Sequence, residues 1–91
     1  MTFKPEEIDN FLEVFNESKE QIRGFEGCQH LELLEDYHES NVLLTHSHWT
    51  DDVALDNYRN SELFANVWAK TKPLFAERPL AFSSKKRITL A

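Results

Sequence analysis

Four histidines, one cysteine and a run of aromatic residues are where this sequence could do chemistry. His46 and His48 stand two apart in an alternating stretch, Val42 to Trp49, and His30 lies in an earlier stretch of the same kind. Residues two apart on a strand share a face, so His46 and His48 point the same way. Three imidazoles can in principle hold zinc or copper. No cysteine or carboxylate spacing of a metal site accompanies them, so no metal is expected. A pocket-lining or hydrogen-bonded histidine is the preferred reading. The catalytic reading makes His46 or His48 a proton acceptor, because imidazole titrates near neutral pH. Cys28 lies two positions before His30, which could face the same way and lower the thiol pKa. A buried small side chain is nevertheless the expectation for Cys28. No serine sits in a nucleophile elbow, and two glycines cannot build a phosphate loop or dinucleotide fingerprint. No cofactor is expected.

Trp49, Tyr58, Phe64 and Trp68 form the second group. Phe64 and Trp68 are at helical spacing, which suits plain core. Two indoles and a phenol, whose polar tips need partners, suit equally the wall of a pocket for a flat aromatic ligand. Tyr58 and Trp68 would lie on adjacent faces of one unbroken helix. A break at Asn60-Ser61 would re-aim the first segment. With that break, Trp49, Tyr58 and Trp68 are expected to border one cavity between a sheet and the second helical region.

The elements that must position these residues can be read in order. Met1 to Lys4 is a short extended segment. Pro5 suits a first helical position, Glu6 and Glu7 suit its positive end, and Ile8, Phe11, Leu12, Phe15 and Ile22 form one apolar stripe. Helix one is therefore expected from Pro5 to Arg23, stopped by Gly24. Cys28–Glu35 and Asn41–Trp49 read as strands of a hairpin, with a polar turn at Asp36–Ser40. Both strand faces are partly apolar, as in a sheet covered by helices on one side and by a partner on the other. Thr50 is the expected cap of helix two, with Asp51 and Asp52 in its first turn. Ser61 caps a further segment, which Pro73 ends, and Pro79 introduces a last strand from Leu80 to Leu90. The order strand, helix, strand, strand, helix, strand is α+β and ferredoxin-like: βαββαβ, an antiparallel sheet with two helices on one face.

Ninety-one residues make one domain, 1–91, with a modest core that association with a second copy would help. The net charge of −6 disfavours nucleic acid and anionic membrane surfaces. Lys85-Lys86-Arg87 reads as a solvated strand face or edge. One cysteine permits no internal disulfide, and no signal peptide or membrane span is evident, so a cytoplasmic protein is expected.

The segments FEGCQHLELLED and SHWTDDVALDNYRNSELF, together with Trp68, resemble the antibiotic biosynthesis monooxygenase family. The resemblance spans nearly the whole chain and implies a dimeric α/β-barrel protein. Members of that family include quinol and polyketide oxygenases that need neither metal nor flavin, and haem-degrading enzymes. Two departures stand out. Many members carry histidine where Tyr58 stands. Haem-degrading members place their haem-ligating histidine where this chain has Trp68, so haem degradation is not expected. The family's first strand is longer than Met1–Lys4, so that strand is either short here or begins upstream of this sequence. The resemblance implies a homodimeric, cofactor-independent monooxygenase acting on a quinol-like or polycyclic aromatic substrate. In it Trp49, Tyr58, Phe64 and Trp68 would line the substrate pocket, and His46 or His48 would serve as base. The alternative is a non-catalytic dimeric module that binds a small aromatic ligand on the same fold.

Overall fold

Pro5 fixes its own φ where a helix begins and needs no donor there. In the computed structural model, which describes residues 1–90, it opens a 3-10 turn, Pro5–Glu7, that leads into helix α1 (Ile8–Arg23). Phe11 and Ile22 are buried, and Ile8 and Phe15 reach the core from the same side. Leu12 stays 36% exposed, so the apolar stripe is narrower than the spacing suggested. Gly24 closes the helix, its N–H donating to the Glu20 carbonyl at 2.9 Å.

Strand β1 (Cys28–Glu35) and strand β2 (Leu43–Trp49) form the antiparallel ribbon. Asp36 builds the turn between them: its carboxylate accepts from the N–H groups of His38 and Glu39, both at 3.0 Å. The register sets His30 opposite His48, Glu32 opposite His46 and Leu34 opposite Leu44. A bulge interrupts it between Cys28 and His30. One extra residue reverses which way the strand's side chains point. Cys28 therefore turns inward and is buried, while His30 faces out. The expectation that these two might share a face fails for that reason.

The short N-terminal segment is the centre of the molecule. Thr2 bridges Val42 and Phe3 bridges Phe75, both antiparallel. Across the sheet the order is β1, β2, residues 2–3, then residue 75, which is the ferredoxin-like order. Phe3 is fully buried and packs with Phe11 and Leu43, beside Phe15, Leu33, Leu74 and Phe75. Its ring stacks on Phe11 with centroids 4.3 Å apart.

The last strand is a correction. Leu80 to Leu90 pairs with nothing among the described residues and takes no regular structure. Its ladder partner would be the first strand, and that strand has only two bridging residues to offer. Leu80, Phe82, Ile88 and Leu90 are consequently at least 81% exposed, and Lys85, Lys86 and Arg87 are solvated without being on a strand.

Helices α2 (Asp52–Arg59) and α3 (Glu62–Thr71) follow, with a 3-10 turn at Lys72–Leu74 around Pro73. Asp51, not Thr50, caps α2: its carboxylate accepts from the Ala54 N–H at 2.8 Å. A carboxylate also complements the helix's positive end, which a hydroxyl does not. Among the described residues no helix is long and apolar enough to cross a membrane.

Candidate functional site

Trp49 ends β2, Tyr58 lies in the last turn of α2, Phe64 in the first turn of α3, and Trp68 one turn further on. The break between the helices brings these rings into line. Asn60 ends α2, and the Ser61 hydroxyl accepts from the Phe64 N–H at 3.1 Å while donating back to the Tyr58 carbonyl at 2.5 Å. Trp49 stacks on Tyr58 with centroids 5.1 Å apart and planes 24° apart. Tyr58 meets the edge of Phe64 at 5.3 Å, and Phe64 lies parallel to Trp68 at 6.2 Å. The four residues therefore form one row. Tyr58 and Trp68 are linked through Phe64 and do not face each other across open space.

Two members of this neighbourhood escaped the sequence. Phe25 packs edge-on against Tyr58 at 5.4 Å and Trp49 at 6.3 Å, and Phe75 lies 5.5 Å from Trp68. Phe25 stands in the turn after α1 and Phe75 at a lone bridge to Phe3, both outside any periodic stretch. Gly27 is what lets the Phe25 turn approach α2. Its φ is +89°, and a side-chain carbon there would come within 2.4 Å of the Ala54 Cβ. The Thr50 N–H donates to the Gly27 carbonyl at 2.8 Å and ties the turn to the end of β2.

Burial governs the chemistry of the row. Tyr58 is half-buried, and burial, with Cys28 adding a smaller effect, pushes its phenol up to about 12. It is a proton donor at neutral pH and no base. The Trp49 indole donates to the Ser47 hydroxyl at 2.9 Å. Trp68 keeps 37% of its surface exposed. Two shallow, open hollows lie elsewhere. One of about 410 Å³ sits between α1 and β1 against Phe15, Leu31 and Leu33, and one of about 280 Å³ sits between α1 and α3.

His46 and His48 are brought together with His30, on the face of the ribbon turned away from the row. Centroids are 4.7 Å apart for His46 and His48, 5.1 Å for His30 and His48, and 6.5 Å for His30 and His46. Glu32, which the sequence reading passed over, lies between them, because its partner across the strands is His46. One Glu32 oxygen is 2.8 Å from His46 Nδ1 and the other 3.6 Å from His30 Nε2. The bond to His46, then that to His30, holds the Glu32 carboxyl below its ordinary range. Partial shielding from water lowers His48, and the neighbouring imidazoles add to the effect. Among the described residues no group of three or more His, Cys, Asp or Glu side chains is placed to hold a metal ion.

With this geometry in view, likeness to known proteins becomes informative. The model of the antibiotic biosynthesis monooxygenase family matches residues 1–70. The chain belongs to that family. Among solved structures, an antibiotic biosynthesis monooxygenase is similar at 25% identity and a TM-score of 0.78, over 85% of this chain and 81% of that one. Rv0793 from Mycobacterium tuberculosis is similar at 20% identity and a TM-score of 0.80, over 97% and 91%. A conserved protein from Methanosarcina mazei Go1 is similar at 19% identity and a TM-score of 0.81, over 85% and 76%. The last two likenesses bear on the fold, which they share with this family member. No curated protein matches the sequence.

Proposed function

We propose that this family member is a cofactor-independent monooxygenase acting on an electron-rich aromatic of the quinol or polycyclic class. The observation that carries the reading is the row Trp49, Tyr58, Phe64, Trp68 in a chain of this family. A flat ring laid against it would exchange water for aromatic surface, with the Tyr58 phenol as donor to a ring oxygen. In such chemistry the substrate gives up a proton and then an electron to dioxygen, and the resulting radicals combine into a hydroperoxide. Loss of water leaves one oxygen atom in a ring carbonyl and the other in water, which carries the hydrogen of the reacting carbon and the proton first removed, from the hydroxyl of a quinol or from the same carbon of a methylene substrate.

The row itself supplies no base, since burial keeps the Tyr58 phenol protonated. His46 and His48 serve as base only for a substrate reaching the open face, since they lie across the ribbon from the row. That separation favours a second reading: a non-catalytic, homodimeric module that binds a small aromatic ligand on the row. We place either protein in the cytoplasm. Oxygen uptake with purified protein and a panel of quinols and anthrones separates the two. The monooxygenase reading expects uptake that saturates with one substrate class and falls in Tyr58→Phe. Saturable quenching of tryptophan fluorescence without oxygen uptake supports the module, and neither response from the whole panel overturns both.

A further inference from the structure

We propose that His30, His46 and His48, grouped around Glu32, make the pairing of two copies of this chain pH-sensitive: the copies hold together near neutral pH and separate in mild acid. This rests on the homodimeric reading of the chain and holds for an oxygenase and a binding module alike. Three successive cross-strand pairs build the device: His30 with His48, Glu32 with His46, and Leu34 with Leu44. Side chains two apart on a strand share a face, so all six stand on the ribbon face that no helix covers. Leu34 and Leu44 are 42% and 47% exposed, apolar surface that a second copy would bury. A copy seated on those leucines also lies against the imidazoles in the adjoining rows.

Charge gives the direction of the effect. With neutral imidazoles, each copy brings one charge to the cluster, the Glu32 carboxylate. One Glu32 oxygen is 2.8 Å from His46 Nδ1 and the other 3.6 Å from His30 Nε2. The bond to His46, then that to His30, holds the carboxyl below its ordinary range, so it stays ionised in mild acid. A first proton on either ring cancels its charge. A second and a third meet no carboxylate. The further charge felt at His48 is Lys86 of the C-terminal segment, which is itself positive. Ring centroids only 4.7, 5.1 and 6.5 Å apart make neighbouring imidazolium ions repel. His48, partly shielded from water and flanked by the other two rings, accordingly lies below its ordinary value.

The fully protonated cluster carries two uncompensated positive charges per copy. A two-fold contact sets the same patch of each copy against the other, so like meets like. Covering those charges removes their water and gives no partner in return. Separated chains therefore take up protons more readily than paired ones, and pairing weakens as pH falls through the histidine range. Overall charge works the other way. The net charge of −6 shrinks as histidines protonate, which eases repulsion between whole molecules.

The test is sedimentation of the untagged full-length chain over a concentration series at about pH 8 and about pH 5.5, above the ordinary carboxylate range. We expect a dimer at the higher value and a dissociation constant roughly 100-fold larger at the lower. An average uptake of one proton per dimer over about two pH units gives that factor. His30→Gln/His46→Gln/His48→Gln should stay dimeric at both values. Glu32→Gln removes the counter-charge, so its separation should begin about one pH unit higher. His38→Gln, in the turn, should behave as wild type. Circular dichroism follows the fold throughout. Should the triple variant not fold, His30→Gln alone decides: a weaker pH dependence is expected, and an unchanged one overturns the proposal. A wild type dimeric at both values, separation that survives in the folded triple variant, or separation that accompanies unfolding overturns the switch and leaves the dimer standing. A wild type monomeric at both values overturns the two together.

Discussion

Phe3 has no surface left to solvent, while Trp68 keeps 37% of its own. Substituting the two separates core from wall. Phe3→Ala removes a ring from the tightest contact in the chain and should cost about 3–5 kcal/mol in urea denaturation. Trp68→Ala should cost clearly less and should instead weaken quenching of Trp49 fluorescence by an aromatic ligand. Equal losses would make Trp68 ordinary core. Tyr58 gives a second expectation. Its phenol is neutral below the ordinary value of 10.0 in both folded and unfolded chains, and the folded chain holds the proton to about 12. Between those values unfolding releases a proton, so the stabilising effect is complete below pH 10 and is lost as pH rises towards 12. Ultraviolet titration should show a late phenolate step that disappears in Tyr58→Phe. At this scale the sequence was half legible. The aromatic residues could be named because bulky rings at helical spacing are conspicuous. Phe25, Phe75 and Glu32 could not, since turn residues and cross-strand partners depend on a register that one strand does not reveal.

Between α2 and α3 a single serine does two jobs, and between β2 and α2 an aspartate does one. Asp51→Ala and Ser61→Ala should each cost about 1 kcal/mol, within the usual 0.5–2 kcal/mol of a lost cap. Ser61→Ala should also disturb the row, because the hydroxyl holds the angle between Tyr58 and Phe64. Thr50→Ala should cost less than Asp51→Ala; thermal melts of the three variants check the order. Helix and hairpin positions were readable because Pro5, Gly24 and the period-two stretch around His46 are strong local signals. The choice between Thr50 and Asp51 was not, since both are good caps and neighbours in sequence, and only the chain path decides which side chain meets the helix. Nor was the bulge at Cys28–His30, because nothing in the alternation marks an extra residue until a partner strand is laid beside it.

The sheet leaves Leu34 and Leu44, partners across the ribbon, 42% and 47% exposed on the face that no helix covers. The C-terminal segment adds exposed Leu80, Phe82, Ile88 and Leu90. So much uncovered apolar surface supports the proposed homodimer. Sedimentation should show two chains together at micromolar concentration, and Leu34→Lys/Leu44→Lys should shift the equilibrium to monomer. A monomeric wild type would refute the dimer. The βαββ part of the architecture was legible because each element announces itself locally. The closing strand did not form as expected because its existence depends on a distant partner, the segment around Phe3, whose two bridging residues set how far pairing can run.

That central segment also imposes an order of events on the newborn chain. Phe3 N–H donates to the Asn41 carbonyl, Lys4 N–H to the Leu74 carbonyl, and Ala76 N–H to the Thr2 carbonyl. Thr2, Phe3 and Lys4 therefore wait for residues made about seventy positions later. At translation rates of about 5–20 residues per second, Phe3 stays without its final neighbours for on the order of 4–15 s. During that interval the hairpin can close, since all its contacts are local, but the sheet cannot add its middle. A half-made molecule thus exposes its most deeply buried ring for seconds, and a holdase that shields the segment around Phe3 should raise the yield of folded protein in coupled translation.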